Sequence, residues 1–214
     1  MNFKHYIRID AQNSIIYGFS DAYGEAQPGD ICINDAGGEQ FRLVLGGEDN
    51  TPLTDSYGVP MYKWDNAVVQ RPESEMLADR PTHIEAARQD KMREASASCT
   101  SAIHSGIQIG AKHYSLTEYD QLEIMTQQGA LDLGVEAVLY HADGEPYRLY
   151  PADDFQAVAT AAREHILGSR LYCNHLFQWI RRADYPELRT IYYGAELPED
   201  LKESFNNLKE SENR

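Results

Sequence analysis

Positive charge is what this chain lacks most: 19 Lys and Arg stand against 34 Asp and Glu, a net charge of −15 over 214 residues. That balance excludes nucleic acid as a partner, because displacing phosphate counterions takes clustered Lys and Arg. No run of about 18 apolar residues occurs, so no membrane-spanning helix is expected. The first residues, Met1 to Tyr6, enter a polar-apolar alternation without the apolar core of a signal peptide. They set the expectation of a protein made and kept in a cytoplasm, or leaving it by cell lysis. Cysteine is scarce: Cys32, Cys99 and Cys173 are odd in number, widely spaced and form no CxxC. Three buried, reduced thiols are expected, not a disulfide or metal framework.

Motifs of catalysis and cofactor binding are also missing. Among seven histidines there is no HExxH or His-x3-His spacing. His165 and His175, ten residues apart on one helix, would lie about 15 Å apart along its axis. Asp143-Gly144-Glu145 and Gly47 to Asn50 carry oxygen ligands but not the twelve-residue alternation of a calcium loop. No GxSxG appears, and Cys99 and Cys173 fall on apolar helix faces, where a thiol is inert. The glycines at 37–38 and 46–47 lack the Lys of a phosphate loop. No catalytic, cofactor-binding or metal-ligating residue is assigned, and the chain reads as a non-enzyme.

What is present is a 42% apolar content, enough for a sizeable core. Residues 1–72 read as a small β-rich module. Tyr6 to Ile9 and Ile15 to Phe19 flank a turn-rich tetrad, Asp10 to Asn13, as in a hairpin. Ile31 to Ile33 follows Pro28-Gly29-Asp30, and Met61 to Trp64 with Ala67 to Val69 suggests a last hairpin. Phe41, Leu43 and Leu45 alternate as in a strand, with a short helix left open. Residues 73–82, polar and bounded by Pro72 and Pro81, read as a linker. The remainder, 83–214, reads as a helix from Thr82 to Ser105, a small strand pair, and a helix–hairpin–long helix unit. Ser115 to Glu118 has the spacing of a capping box opening a helix through Tyr119, Leu122 and Met125. Asp143-Gly144 marks a type I′ turn. Pro151, Asp153 and Asp154 open a long helix that Arg181 and Arg182 close, each placement suited to the helix dipole. Gly168, inside that helix, suggests a close contact or a bend. The fold class is α+β.

The 14 tyrosines are the remaining feature. Tyr17, Tyr57, Tyr62 and Trp64 crowd the β module and form the candidate partner-binding set, since Tyr and Trp bury area with little entropy loss. They suit the interior of strands equally well.

Residues His113 to Thr117 with Asp120 and Gln121, the Tyr140 to Glu145 turn, Asp154-Phe155, Ala162, His165-Ile166 and Tyr172 to Leu176 together form a pattern. Over about residues 85–182 it resembles an uncharacterised domain common at the C-terminus of bacteriophage and prophage tail proteins. The front half, with Tyr6 to Asp10, Ile15 to Asp21 and Gly29 to Ile33, resembles the N-terminal modules of small proteins encoded beside tail-fibre and baseplate genes. Where family members often place Thr before the long helix, this chain has Pro151, so the usual side-chain cap is absent. The resemblance implies a non-enzymatic component of the tail tip, baseplate or fibre, with other tail or fibre proteins as partners and a homo-oligomer as one arrangement. Its location would be the virion tail, or the host cytoplasm during assembly. A tail-fibre assembly chaperone is the alternative, with a carbohydrate-reading receptor module and a cell-wall hydrolase ranked below it. The resemblance transfers no catalytic residues.

Overall fold

The computed structural model describes residues 3–35 and 52–212. The expected strand at Phe41 to Leu45 and the glycines at 37–38 and 46–47 lie outside them. The chain is α+β. It divides into two compact units, residues 1–87 with 184–186, and residues 88–183 with 187–214.

In the first unit, strands β1 (His5–Ile9), β2 (Ile15–Ser20) and β3 (Ile31–Asn34) form an antiparallel sheet in the order β2-β1-β3. The β1–β2 turn closes as its residue types require. Asp10 Oδ1 accepts hydrogen bonds from the Gln12 and Ser14 amides, and Asn13 takes a positive φ of 61°. A second hairpin, β4 (Tyr62–Trp64) with β5 (Val68–Gln70), joins the sheet where the Trp64 amide donates to Asn13 O at 2.8 Å. Ile7, Ile15, Tyr62 and Val68 make the small core between them. Of the expected buried thiols, Cys32 is the exception: it is exposed on β3.

Residues 73–82 are helix, not linker. Helix α1 (Glu73–His104) begins at Glu73 and runs through Pro81. Its opening turns are anchored by ion pairs, which explains why a proline does not end it. Buried Arg71 reaches Asp79 at 2.5 Å and the Pro60 carbonyl at 3.1 Å, and Arg80 reaches Asp55 at 3.1 Å. The division between the two units falls inside α1, after Ala87, and not at 72–82.

In the second unit, β6 (Ile107–Ile109) and β7 (Lys112–Tyr114) form a short hairpin, followed by α2 (Glu118–Asp132). The cap of α2 sits two residues later than its spacing suggests. Thr117 is the N-cap, its hydroxyl accepting from the Asp120 amide while the Asp120 carboxylate accepts from the Thr117 amide. Strands β8 (Ala137–Tyr140) and β9 (Arg148–Pro151) pair antiparallel. Their connection is a seven-residue loop, 141–147, in which Gly144 has φ +73° and Asp143 does not share the positive φ that a type I′ turn needs. Helix α3 (Ala152–Arg182) starts behind Pro151 with no side-chain cap. A short α4 (Tyr185–Leu188) and α5 (Glu199–Glu212) complete the described chain.

The core of this unit is aromatic. Tyr140 stacks on Tyr114 with centroids 6.2 Å apart, and meets Tyr150 and Phe155 edge-on at 5.9 and 5.2 Å. Val138, Leu116, Ile124, Val158 and Ala162 close around them. At Gly168 no neighbour lies within 4 Å of where a Cβ would stand, so a close helix contact does not account for that glycine.

Cys99 and Cys173 form a disulfide, against the expectation of reduced thiols. α1 and α3 bring the two residues, 74 apart in sequence, to a Cα separation of 6.3 Å, and Ile103, Ile166 and Tyr193 pack around the bridge. Closing a loop of that length removes about 4 kcal/mol of unfolded-state entropy in the chain-entropy treatment. Reduction, or Cys99→Ser with Cys173→Ser, is expected to lower unfolding free energy by about 2–4 kcal/mol in urea titrations. A midpoint that does not move on reduction would contradict the bridge.

Candidate functional site

A serine, a histidine and an aspartate meet where the 141–147 loop crosses the start of α2. Ser115 and His113 flank the last residue of β7, and Asp143 reaches them from the loop. Ser115 Oγ donates to Asp143 Oδ2 at 2.5 Å, and the Ser115 amide donates to Oδ1 at 3.1 Å. His113 Nδ1 donates to the same Oδ2 at 2.7 Å, and its Nε2 donates to the Ser105 carbonyl at 2.7 Å. Nucleophilic catalysis needs serine bonded to histidine, with the aspartate behind the ring. Here serine and histidine both bond the carboxylate, and the far ring nitrogen is spent on a carbonyl. Both ring nitrogens face acceptors, so the geometry selects the doubly protonated imidazolium. Gly106 makes room for this crossing: its φ is +77°, and a Cβ there would stand 2.1 Å from the Tyr114 carbonyl oxygen. The arrangement pins the loop to β7.

Electrostatics follow the geometry. The Asp143 hydrogen bond, then the Ser105 carbonyl, hold the His113 pKa above its ordinary 6.5. Burial pushes Asp143 upward, but the bonds from Ser115 and His113 outweigh it and leave the carboxyl below its ordinary 3.8. Among the described residues, no group of three or more His, Cys, Asp and Glu is placed to hold a metal ion.

The four aromatic residues singled out from sequence do not share one role. Tyr62 is only 5% exposed and belongs to the core of the first unit, and Trp64 is half-buried against that core. Their contacts are within the fold. Tyr57 is half-buried, with Tyr185 against it at 6.4 Å and the Arg80 guanidinium over its ring at 4.5 Å. Tyr17 alone is more than half exposed, leaning on Phe19 at 5.6 Å.

The large solvent-facing apolar surfaces of the second unit lie elsewhere, on α2 and the β8–β9 hairpin. Helix α2 buries Ile124 and turns Tyr119, Leu122 and Met125 outward, at 69%, 61% and 71% exposure. Their i, i+3, i+6 spacing makes one stripe. On the Met125 side a groove of about 660 Å³ separates α2 from α3. Ile124, Ala159, Ala162 and Ile166 line it, and Arg163 and Arg170 belong to its α3 wall. On the hairpin, Val138, Tyr140 and Tyr150 point into the core, and the two-residue period turns Leu139 and Leu149 outward. These two are direct cross-strand partners, 54% and 65% exposed, so they form one contiguous patch. Tyr147 lies at the end of the adjoining loop, its hydroxyl donating to Glu123 on α2 at 2.9 Å.

These residues escaped the reading of the sequence because the α2 stripe looks like a core-facing one. The signal that separates them is Ile124, the buried residue of the helix, which stands about 160° around the axis from Leu122 and about 140° from Tyr119. No family model, curated protein or solved structure matches this chain.

The loop pin has a defined pH signature. Because the folded His113 pKa is raised, its contribution to stability is complete below about pH 6.5 and fades as pH climbs through the folded value. Asp143 contributes above about pH 3.8 and loses its contribution as pH falls through its depressed value. His113→Gln is therefore expected to lower the melting temperature most between about pH 5 and 6.5, with the gap to the wild type closing at higher pH. A gap constant from pH 5 to pH 9 would show that the imidazolium is not what holds the loop.

Proposed function

We propose that this chain is a non-enzymatic, protein-binding component of a phage tail, placed at the tail tip, baseplate or fibre. The observation that carries the protein-binding part is the paired exposure of Leu139 and Leu149 on a hairpin held rigidly by its inner face. A contiguous apolar patch on a body with a net charge of −15 costs solubility unless a partner covers it. The phage-tail part is supported by the resemblance of residues 85–182 to the C-terminal domain of tail proteins.

The Cys99–Cys173 bridge favours residence in the released particle over a chaperone that works only in host cytoplasm, where thiols are kept reduced. A sugar-reading module built on Tyr62 and Trp64 draws no support, because the rings that would stack on a sugar pack against the core.

Quantitative mass spectrometry of purified particles is expected to find the chain at a fixed copy number. Leu139→Asp with Leu149→Asp is expected to strip it from particles while leaving the isolated protein's melting temperature nearly unchanged. Absence from wild-type particles and from complexes with tail proteins would sink the proposal.

A further inference from the structure

The α2 stripe and the groove beside it make a second surface, separate in residues from the Leu139–Leu149 patch, and its charges are divided. From His113 to Tyr147 the sequence holds no Lys or Arg, and the charged residue that α2 contributes to the groove's lining is a carboxylate, Asp132. The α3 wall of the groove carries Arg163 and Arg170. A basic segment laid in this groove would face the two arginines, and an acidic one would face Asp132. A second copy of the same surface, turned end for end, answers both walls at once.

We infer that the α2 face is covered by the α2 face of a second copy of this chain, paired antiparallel about a two-fold axis. The inference rests on the reading of the chain as a protein-binding body, but not on the hairpin patch. Its geometry follows from how α2 and α3 lie. Arg170 donates to Gln121 near the start of α2 at 3.4 Å, whereas Asp132 and Gln156 line the groove's other end, so the two helices run antiparallel. End-for-end pairing sets the start of one α2 against the end of the other. The Asp132 end of each copy then meets the Arg170 end of its mate. A two-fold contact of this kind uses one patch twice. Leu122 and Met125 stand near the middle of a helix about 22 Å long, and methionine, unbranched and adaptable, fills an irregular groove well.

Sedimentation equilibrium of the full chain, from about 1 to about 100 μM, brackets the dissociation constants of ordinary dimers. A two-chain species is expected for the wild type. Met125→Glu, at a largely exposed position, is expected to give a folded monomer with unchanged circular dichroism. Asp132→Arg is expected to raise the dissociation constant about tenfold or more, and Asp132→Arg with Arg170→Asp to recover most of that loss. A wild type that stays monomeric throughout, a dimer indifferent to Met125→Glu, an assembly other than two chains, or no recovery in the double variant would each overturn the inference. Binding to purified particles, measured in parallel, separates this failure from that of the phage-tail reading, since a strict monomer can still be retained by a tail protein.

Discussion

The β8–β9 hairpin has one apolar face to bury, and the ring cluster around Tyr140 is where it does so. Tyr114, Tyr150 and Phe155 surround that ring on three sides, bringing together β7, β9 and α3. Desolvation in the cluster drives the Tyr114 and Tyr140 phenols well above their ordinary pKa of 10, so both stay neutral at any physiological pH. Once Tyr140 and Val138 face inward, strand periodicity leaves Leu139 no choice but solvent. The exposed patch is thus a by-product of packing geometry as much as of residue choice. A one-residue slip in register would bury Leu139 and expose Tyr140 instead.

The Asp143 carboxylate protects that register. The loop that joins the two strands is too long to set their pairing by turn geometry alone. Three hydrogen bonds to Asp143 from β7 and the residue after it do this work at long range. A trio of side chains that looks catalytic by composition is therefore structural by connectivity. The same carboxylate holds Ser115, whose hydroxyl and amide both donate to it, and the cap of α2 is supplied by Thr117.

Much of the fold was legible in the chain. Alternation in Tyr6 to Ile9 and Ile15 to Phe19, Asn13 in a turn, and Pro151 at the head of the long helix carry their meaning locally. What was illegible depends on distant partners. Ser115 and Thr117 are both followed three residues later by an acid, so spacing cannot choose between them. Pro81 and its polar neighbours read as a break, yet Arg71, Asp79, Asp55 and Arg80 hold that segment in helix. Cys99 and Cys173 gave no sign of pairing because their proximity comes from the crossing of two helices, not from any motif. Tyr62 and Trp64 stand out by residue type yet pack within the fold, while the exposed leucines at 139 and 149 read in the chain as ordinary strand residues.

The bridge between α1 and α3 also determines how the molecule bears load. A pull on the two ends of the chain passes from residue 99 to residue 173 through a covalent link, bypassing everything between them. The β6–β7 and β8–β9 hairpins, α2 and both exposed apolar surfaces lie within the bypassed segment, sheltered from tension that would otherwise peel β8 from β9 one hydrogen bond at a time.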